Sequence, residues 1–182
     1  MKPRMESFMG KAVYDIEIST PADEVVDKVY RILNVRSNSL TKNVAFMPNP
    51  LPEVPGMPQV AVKSMGMGMA GTFAFPQCSC DNAYAIMNGY DKGVSSIQFG
   101  SSDRATYTAC IYPYQDNYRV YIIGLYQTTS QGGIGGLVYE GVKKGVTTGL
   151  GKDNMFASWF AQVVDEFEKT FPDASRIEVA MP

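Results

Sequence analysis

The hydrophobic period of the chain changes along its length, and each change predicts an element. In "AVYDIEIS", Tyr14, Ile16 and Ile18 alternate with Asp15 and Glu17, which predicts a strand with one buried face. A helix follows at once. Thr20 stands as its N-cap, Pro21 suits the first helical position, and Asp23 and Glu24 complement the positive end of the helix dipole. Val25, Val26, Val29, Ile32 and Leu33 form its apolar stripe, with Lys28 and Arg31 toward the C-terminal end. From 37 to 58 the pattern weakens. "PNPLPEVPGMP" holds five prolines in eleven residues, which removes amide donors and predicts a loop or an edge-wrapping segment, with a proline-recognition ligand as the functional alternative.

After it the period becomes two. "QVAVKSM", "GTFAF", "NAYAIMN", "VSSIQFG", "RATYTACIY" and "YRVYIIGLYQ" read as strands separated by the turn signals "NGYDKG", "GSSD" and "PYQDN". Such short connections imply an antiparallel meander, and the last two strands, richest in apolar and aromatic residues, belong at its centre. Residues 153–171 predict the clearest helix: Met155, Phe156, Trp159, Phe160, Val163, Val164, Phe167 and Phe171 recur at three and four, and Pro172 stops it. Ser158, Gln162, Asp165, Glu166 and Lys169 lie opposite. "RIEVAMP" adds a closing strand through Ile177 and Val179. The whole predicts a two-layer α+β domain over 1–182, with a curved antiparallel sheet against an N-terminal helix and a long aromatic C-terminal helix.

"ISTPADEVVDKV", following a strand, resembles the opening of the START/Bet v 1-like helix-grip superfamily, in which a strand ends at a Ser/Thr-Pro-Ala-acid helix start. The resemblance covers about a dozen residues. It implies a curved sheet wrapped around a long C-terminal helix and an apolar cavity, and it carries over no catalytic residue. The closing strand and the long glycine-rich segment depart from it, and a ferredoxin-like variant is the competing arrangement.

That segment, "SQGGIGGLVYEGVKKGVTTGLGKD", does not cradle phosphate. Gly145 lies one place too early for Gly151-Lys152, Asp153 stands where a hydroxyl is needed, and Gly133-x-Gly135 is followed by Val138 rather than glycine. Gly141, Gly145 and Gly149 instead recur at four, on one side of a helix with Ile134 and Val138, with Glu140, Lys143, Lys144 and Thr147 facing away. That face suits close packing on the sheet, or a protein or membrane contact through residues 134–150.

Composition narrows the function classes. A chain of 182 residues, 45% apolar, carries one ordinary core. A net charge of −2 and a pI near 5.2 leave no electrostatic footprint for nucleic acid. Charged residues at 19% fall below the usual quarter, a leaning toward a periplasmic or envelope-associated bacterial protein, with the cytoplasm as alternative. "MKPRMESFMGK" lacks the apolar stretch of a signal peptide, and no apolar run is long enough to span a bilayer. With no histidine, imidazole acid-base catalysis and the usual serine and zinc hydrolase constellations are excluded. Asp15 and Glu17 share a strand face, either as a carboxylate pair or in solvent. A Cys110 thiolate would lack its usual base, so the expectation is a non-enzymatic protein without a cofactor.

Three readings follow. An apolar or lipid-like small molecule fits between the sheet and the C-terminal helix, lined by Met67, Phe73, Tyr107, Trp159 and Phe160. A bacterial envelope structural or interaction protein would use the glycine-faced helix or the proline-rich segment. A Cu(I) carrier would use Met65, Met67 and Met69 of "SMGMGMAG" with Cys78 and Cys80, since thioethers and thiolates are soft ligands. The same methionines also serve as core or pocket lining. One disulfide from Cys110 to Cys78 or to Cys80 is compatible with the three cysteines.

Overall fold

Long alternating strands set the architecture, and two amphipathic helices cover one side of them. A computed structural model describes residues 4–37, 39–66, 72–91, 101–130 and 152–182. The expected strand "VSSIQFG" and the glycine segment 134–150 lie outside them. In chain order the described elements are β1 (Arg4–Glu17), α1 (Ala22–Asn34), β2 (Ser39–Val44), β3 (Gln59–Gly66), β4 (Thr72–Ser79), β5 (Ala85–Asp91), β6 (Ser101–Tyr114), β7 (Asn117–Ser130), α2 (Lys152–Thr170) and β8 (Ser175–Ala180). The fold is α+β: an open, six-stranded antiparallel sheet in the order β2-β5-β6-β7-β1-β8, with a separate two-stranded sheet of β3 and β4.

The strands expected at the centre, β6 and β7, are there, and β8 closes the edge beside β1. Other expectations change: residues 88–91 of "NGYDKG" and 101–103 of "GSSD", read as turns, belong to β5 and β6. Among the described residues β3 and β4 leave the meander and pair only with each other, and Ser39–Val44, inside the 37–58 stretch where the pattern weakens, is an edge strand held by β5. Four of its six residues are exposed, so its sequence carries no buried face to announce it.

Period-two alternation sends the sheet's side chains to two faces. Ala12, Tyr14, Ile16, Met87, Ala109, Ile111, Val120 and Ile122 face the helices and pack on Val25, Val29 and Leu33 of α1 and Phe160, Val163 and Phe167 of α2. The residues between them, Val13, Cys110, Tyr112 and Tyr121, face the other way and pack with Cys78, Cys80 and Ala83. β4 crosses β7 on that second face, and the proline-rich segment also reaches it: the Gln115 N–H donates to the Pro52 carbonyl, and a side chain at Gly56 would overlap the Tyr112 ring. The molecule is therefore layered as helices, main sheet, then hairpin and proline-rich strap.

Helix α1 begins one residue later than the capping pattern predicts. Its cap is Pro21, whose carbonyl accepts the Val25 N–H, and no side chain caps it. Thr20 is engaged elsewhere: its N–H donates to Glu17, and its carbonyl accepts the Tyr118 hydroxyl at 3.0 Å. Asp15 is neither one of a carboxylate pair nor free. Arg119 grips it through two nitrogens at 2.7 and 2.9 Å, and the Tyr114 hydroxyl donates to it at 2.8 Å. The opposing strand β7 supplies that partner, because Asp15 and Arg119 are in register.

Tyr14, Glu168 and Arg176 tie β1, α2 and β8 together. The Tyr14 hydroxyl donates to Glu168 Oε1 at 2.8 Å, and Arg176 Nε donates to the same oxygen at 2.7 Å. The Tyr14 hydroxyl and then Arg176 hold the Glu168 carboxyl below its ordinary value. A depressed carboxyl contributes stability above its unfolded pKa and loses it as pH falls through the folded one. The urea midpoint should therefore drop as pH falls below the ordinary carboxylate value of 4.5, and Glu168→Gln should remove part of that drop. Identical acid profiles for parent and variant would show that the trio is not linked to folding.

Candidate functional site

The first half of α2 lies over one end of the main sheet, and aromatic rings fill the contact. Tyr107 of β6 stacks on Trp159 with centroids 3.8 Å apart, and Tyr126 of β7 stacks on Phe156 at 5.4 Å. Phe8 of β1 joins Tyr126 at 6.0 Å, and Trp159 bridges to Phe156 at 5.9 Å. Local sequence makes the room. Tyr107 is paired across the sheet with Gly124, and Ala105 is two residues away on the same face, so a broad ring can lie flat there. Tyr107 and Phe160 are fully buried, while Trp159 keeps partial exposure. Its Nε1 is buried without a hydrogen-bond partner among the described residues.

Tyr107, Trp159 and Phe160 of the expected ligand-lining set thus meet at one place, with Trp159 and Phe160 centroids 6.3 Å apart. Phe73 lies on β4, in the two-stranded second sheet. Met67 lies outside the described residues. Tyr126, Phe156 and Phe8 complete the cluster and are absent from the expected set. The alternation of β1 and β7 and the stripe of α2 place them on the right faces, but only the register brings them to one end.

The second face carries sulfur. Cys80 and Cys110 form a disulfide with Cα atoms 5.9 Å apart, and Cys78 is a free thiol. All three Sγ atoms lie within 4.8 Å of one another. Spacing of two along an extended chain turns Cys78 and Cys80 to the same side, and Cys110 of β6 rises to meet them from the main sheet. Burial pushes the Cys78 thiol up to about 11, against a smaller opposing effect of the Thr108 hydroxyl. Burial likewise pushes Tyr112 up to about 12, with the nearby Cys78 adding to it. The Tyr112 hydroxyl is buried and has no hydrogen-bond partner among the described residues.

Of the Met/Cys ligand set expected from sequence, Cys78 and Cys80 lie together, beside Cys110. Met65 pairs with Phe73, five residues along β3 from Val60, which pairs with Cys78. At the rise of an extended strand the two backbone positions are about 17 Å apart along β3. Met67 and Met69 lie outside the described residues. Among the described residues no helix is long and apolar enough to cross a membrane. No family model matches the chain, and comparison with curated proteins and with solved structures finds no match either.

Proposed function

We propose that this protein binds, without chemistry, an apolar or lipid-like small molecule between the aromatic end of the sheet and the first turns of α2. Trp159 carries this reading: a half-buried ring stacked on Tyr107, with an indole N–H that finds no acceptor among the described residues. A buried donor left unpaired costs about 1–3 kcal/mol, so the site favours a ligand with an apolar body and one carbonyl or ester oxygen. The long helix laid across an antiparallel sheet also supports a helix-grip-like arrangement, with β8 after the helix as its departure. A chain without histidine supports binding over acid-base catalysis.

Trp159 is the chain's single tryptophan, so its emission reports on the site without interference. Titration with oleate and with methyl oleate should give a saturable change in that emission. Calorimetry of Trp159→Phe, which keeps a ring but loses the donor, should show about tenfold weaker binding. The reading is sunk if neither probe gives a saturable change and native mass spectrometry of protein purified from its host shows no bound small molecule.

A further inference from the structure

The geometry points to a soft-metal site: with the Cys80–Cys110 bridge reduced, Cys78, Cys80 and Cys110 hold one Cu(I) ion as a three-sulfur centre. The three sulfurs already lie within 4.8 Å of one another. A metal held trigonally at about 2.3 Å from each sulfur needs them about 4 Å apart, so only the former bridge atoms must separate. Reduction supplies that separation. A dithiol gives two electrons and two protons to the bridge and becomes its own disulfide, and Cys80 and Cys110 are left as thiols. Binding then releases thiol protons to solvent, which makes the affinity rise with pH.

The ligand set selects the ion. Thiolates alone, in a chain with no histidine, favour a soft d10 cation, and Cu(I) accepts three sulfurs without a further ligand. Zn(II) asks for a fourth, and no His, Asp or Glu joins the three cysteines as a cluster member among the described residues.

Tyr112 packs in the same buried cluster as the three sulfurs. Tyr112 is 3% exposed, and its hydroxyl has no hydrogen-bond partner among the described residues. A thiolate that forms on metal binding gives that O–H an acceptor. Cys80 and Cys110 are buried, whereas Cys78 is partly exposed, so the ion has an entry on the Cys78 side. This placement is independent of the aromatic end, which lies on the other face of the main sheet.

The test is an anaerobic titration of the full chain with Cu(I) against a chromogenic Cu(I) chelator, before and after reduction with a phosphine. Reduced protein should take up one equivalent, and the oxidised protein should bind more than about tenfold more weakly, since loss of even an outer-shell contact costs that much. Cys78→Ser, which leaves the bridge cysteines in place, should weaken the reduced protein by at least the same factor, and Tyr112→Phe by a smaller one. Met65→Leu should change nothing. X-ray absorption should show sulfur ligands only. Equal uptake by oxidised and reduced protein, unaltered uptake by Cys78→Ser, or tighter binding of Zn(II) than of Cu(I) would each overturn the assignment. So would loss of near-ultraviolet dichroism on reduction, because the site needs both sheets in place.

Discussion

Phe160→Ala should lower the unfolding free energy by about 3–5 kcal/mol, the high end for removal of a buried aromatic ring. Phe160 is fully buried in the core between the sheet and the helices. It rests on two glycines, Gly10 of β1 and Gly124 of β7, which face each other across the strand pair. On that side the wall of the resulting hole is paired backbone, which cannot collapse into it, so part of the lost contact is not recovered. The reverse change tests the same fit. A Cβ at Gly10 would stand 2.8–2.9 Å from three carbons of the Phe160 ring, and Gly10→Ala should cost about 1–3 kcal/mol by overpacking. At Gly124 the nearest atom is the tip of Phe156 at 3.0 Å, so Gly124→Ala should be milder. Urea unfolding followed by far-ultraviolet dichroism measures all three. In a double-mutant cycle the Gly10→Ala cost should largely vanish once Phe160 is Ala. Simple additivity would mean that the glycine notch and the ring do not share a fit.

These glycines show where the sequence stops being legible. The alternation of β7 and the stripe of α2 are local signals, and both elements form as the pattern demands. That Gly10 faces Gly124 depends on register between strands more than a hundred residues apart, which no local pattern encodes. The Asp15–Arg119 pair is of the same kind: an acid on an outward-facing position looks solvated until the partner strand is aligned. β3 and β4 alternate as the central strands do, so nothing in "QVAVKSM" or "GTFAF" says that they form a separate sheet. The site divides in the same way. Trp159 and Phe160 follow from helical spacing, and Tyr107 from strand alternation, but the flat fit of Tyr107 under Trp159 needs Gly124 opposite it. Thr20 illustrates a subtler miss. Its type and position suit a cap, yet its carbonyl accepts the Tyr118 hydroxyl and the helix is capped one residue later, at Pro21.

Cys110→Ala should destabilise the protein by about 3–4 kcal/mol, because the Cys80–Cys110 bridge closes a loop with a sequence separation of 30. Cys80→Ala, which removes the other half of the same bond, should cost distinctly less after purification in air. Cys78 lies on the same side of the chain as Cys80, and its sulfur is within 4.8 Å of Cys110. In that variant it can replace Cys80 and close a loop of nearly the same length, so the entropy lost from the unfolded chain is almost unchanged. Cys78→Ala leaves the bridge intact and removes a partly exposed thiol, a change of about 1 kcal/mol or less. Guanidinium unfolding gives the three stabilities, and mass spectrometry of unreduced peptides identifies the bridge in each variant. Equal losses for Cys80→Ala and Cys110→Ala, with Cys78 and Cys110 both alkylatable in the former, would show that the two cysteines flanking Ser79 are not interchangeable and that the sulfur cluster is more rigid than its spacing implies.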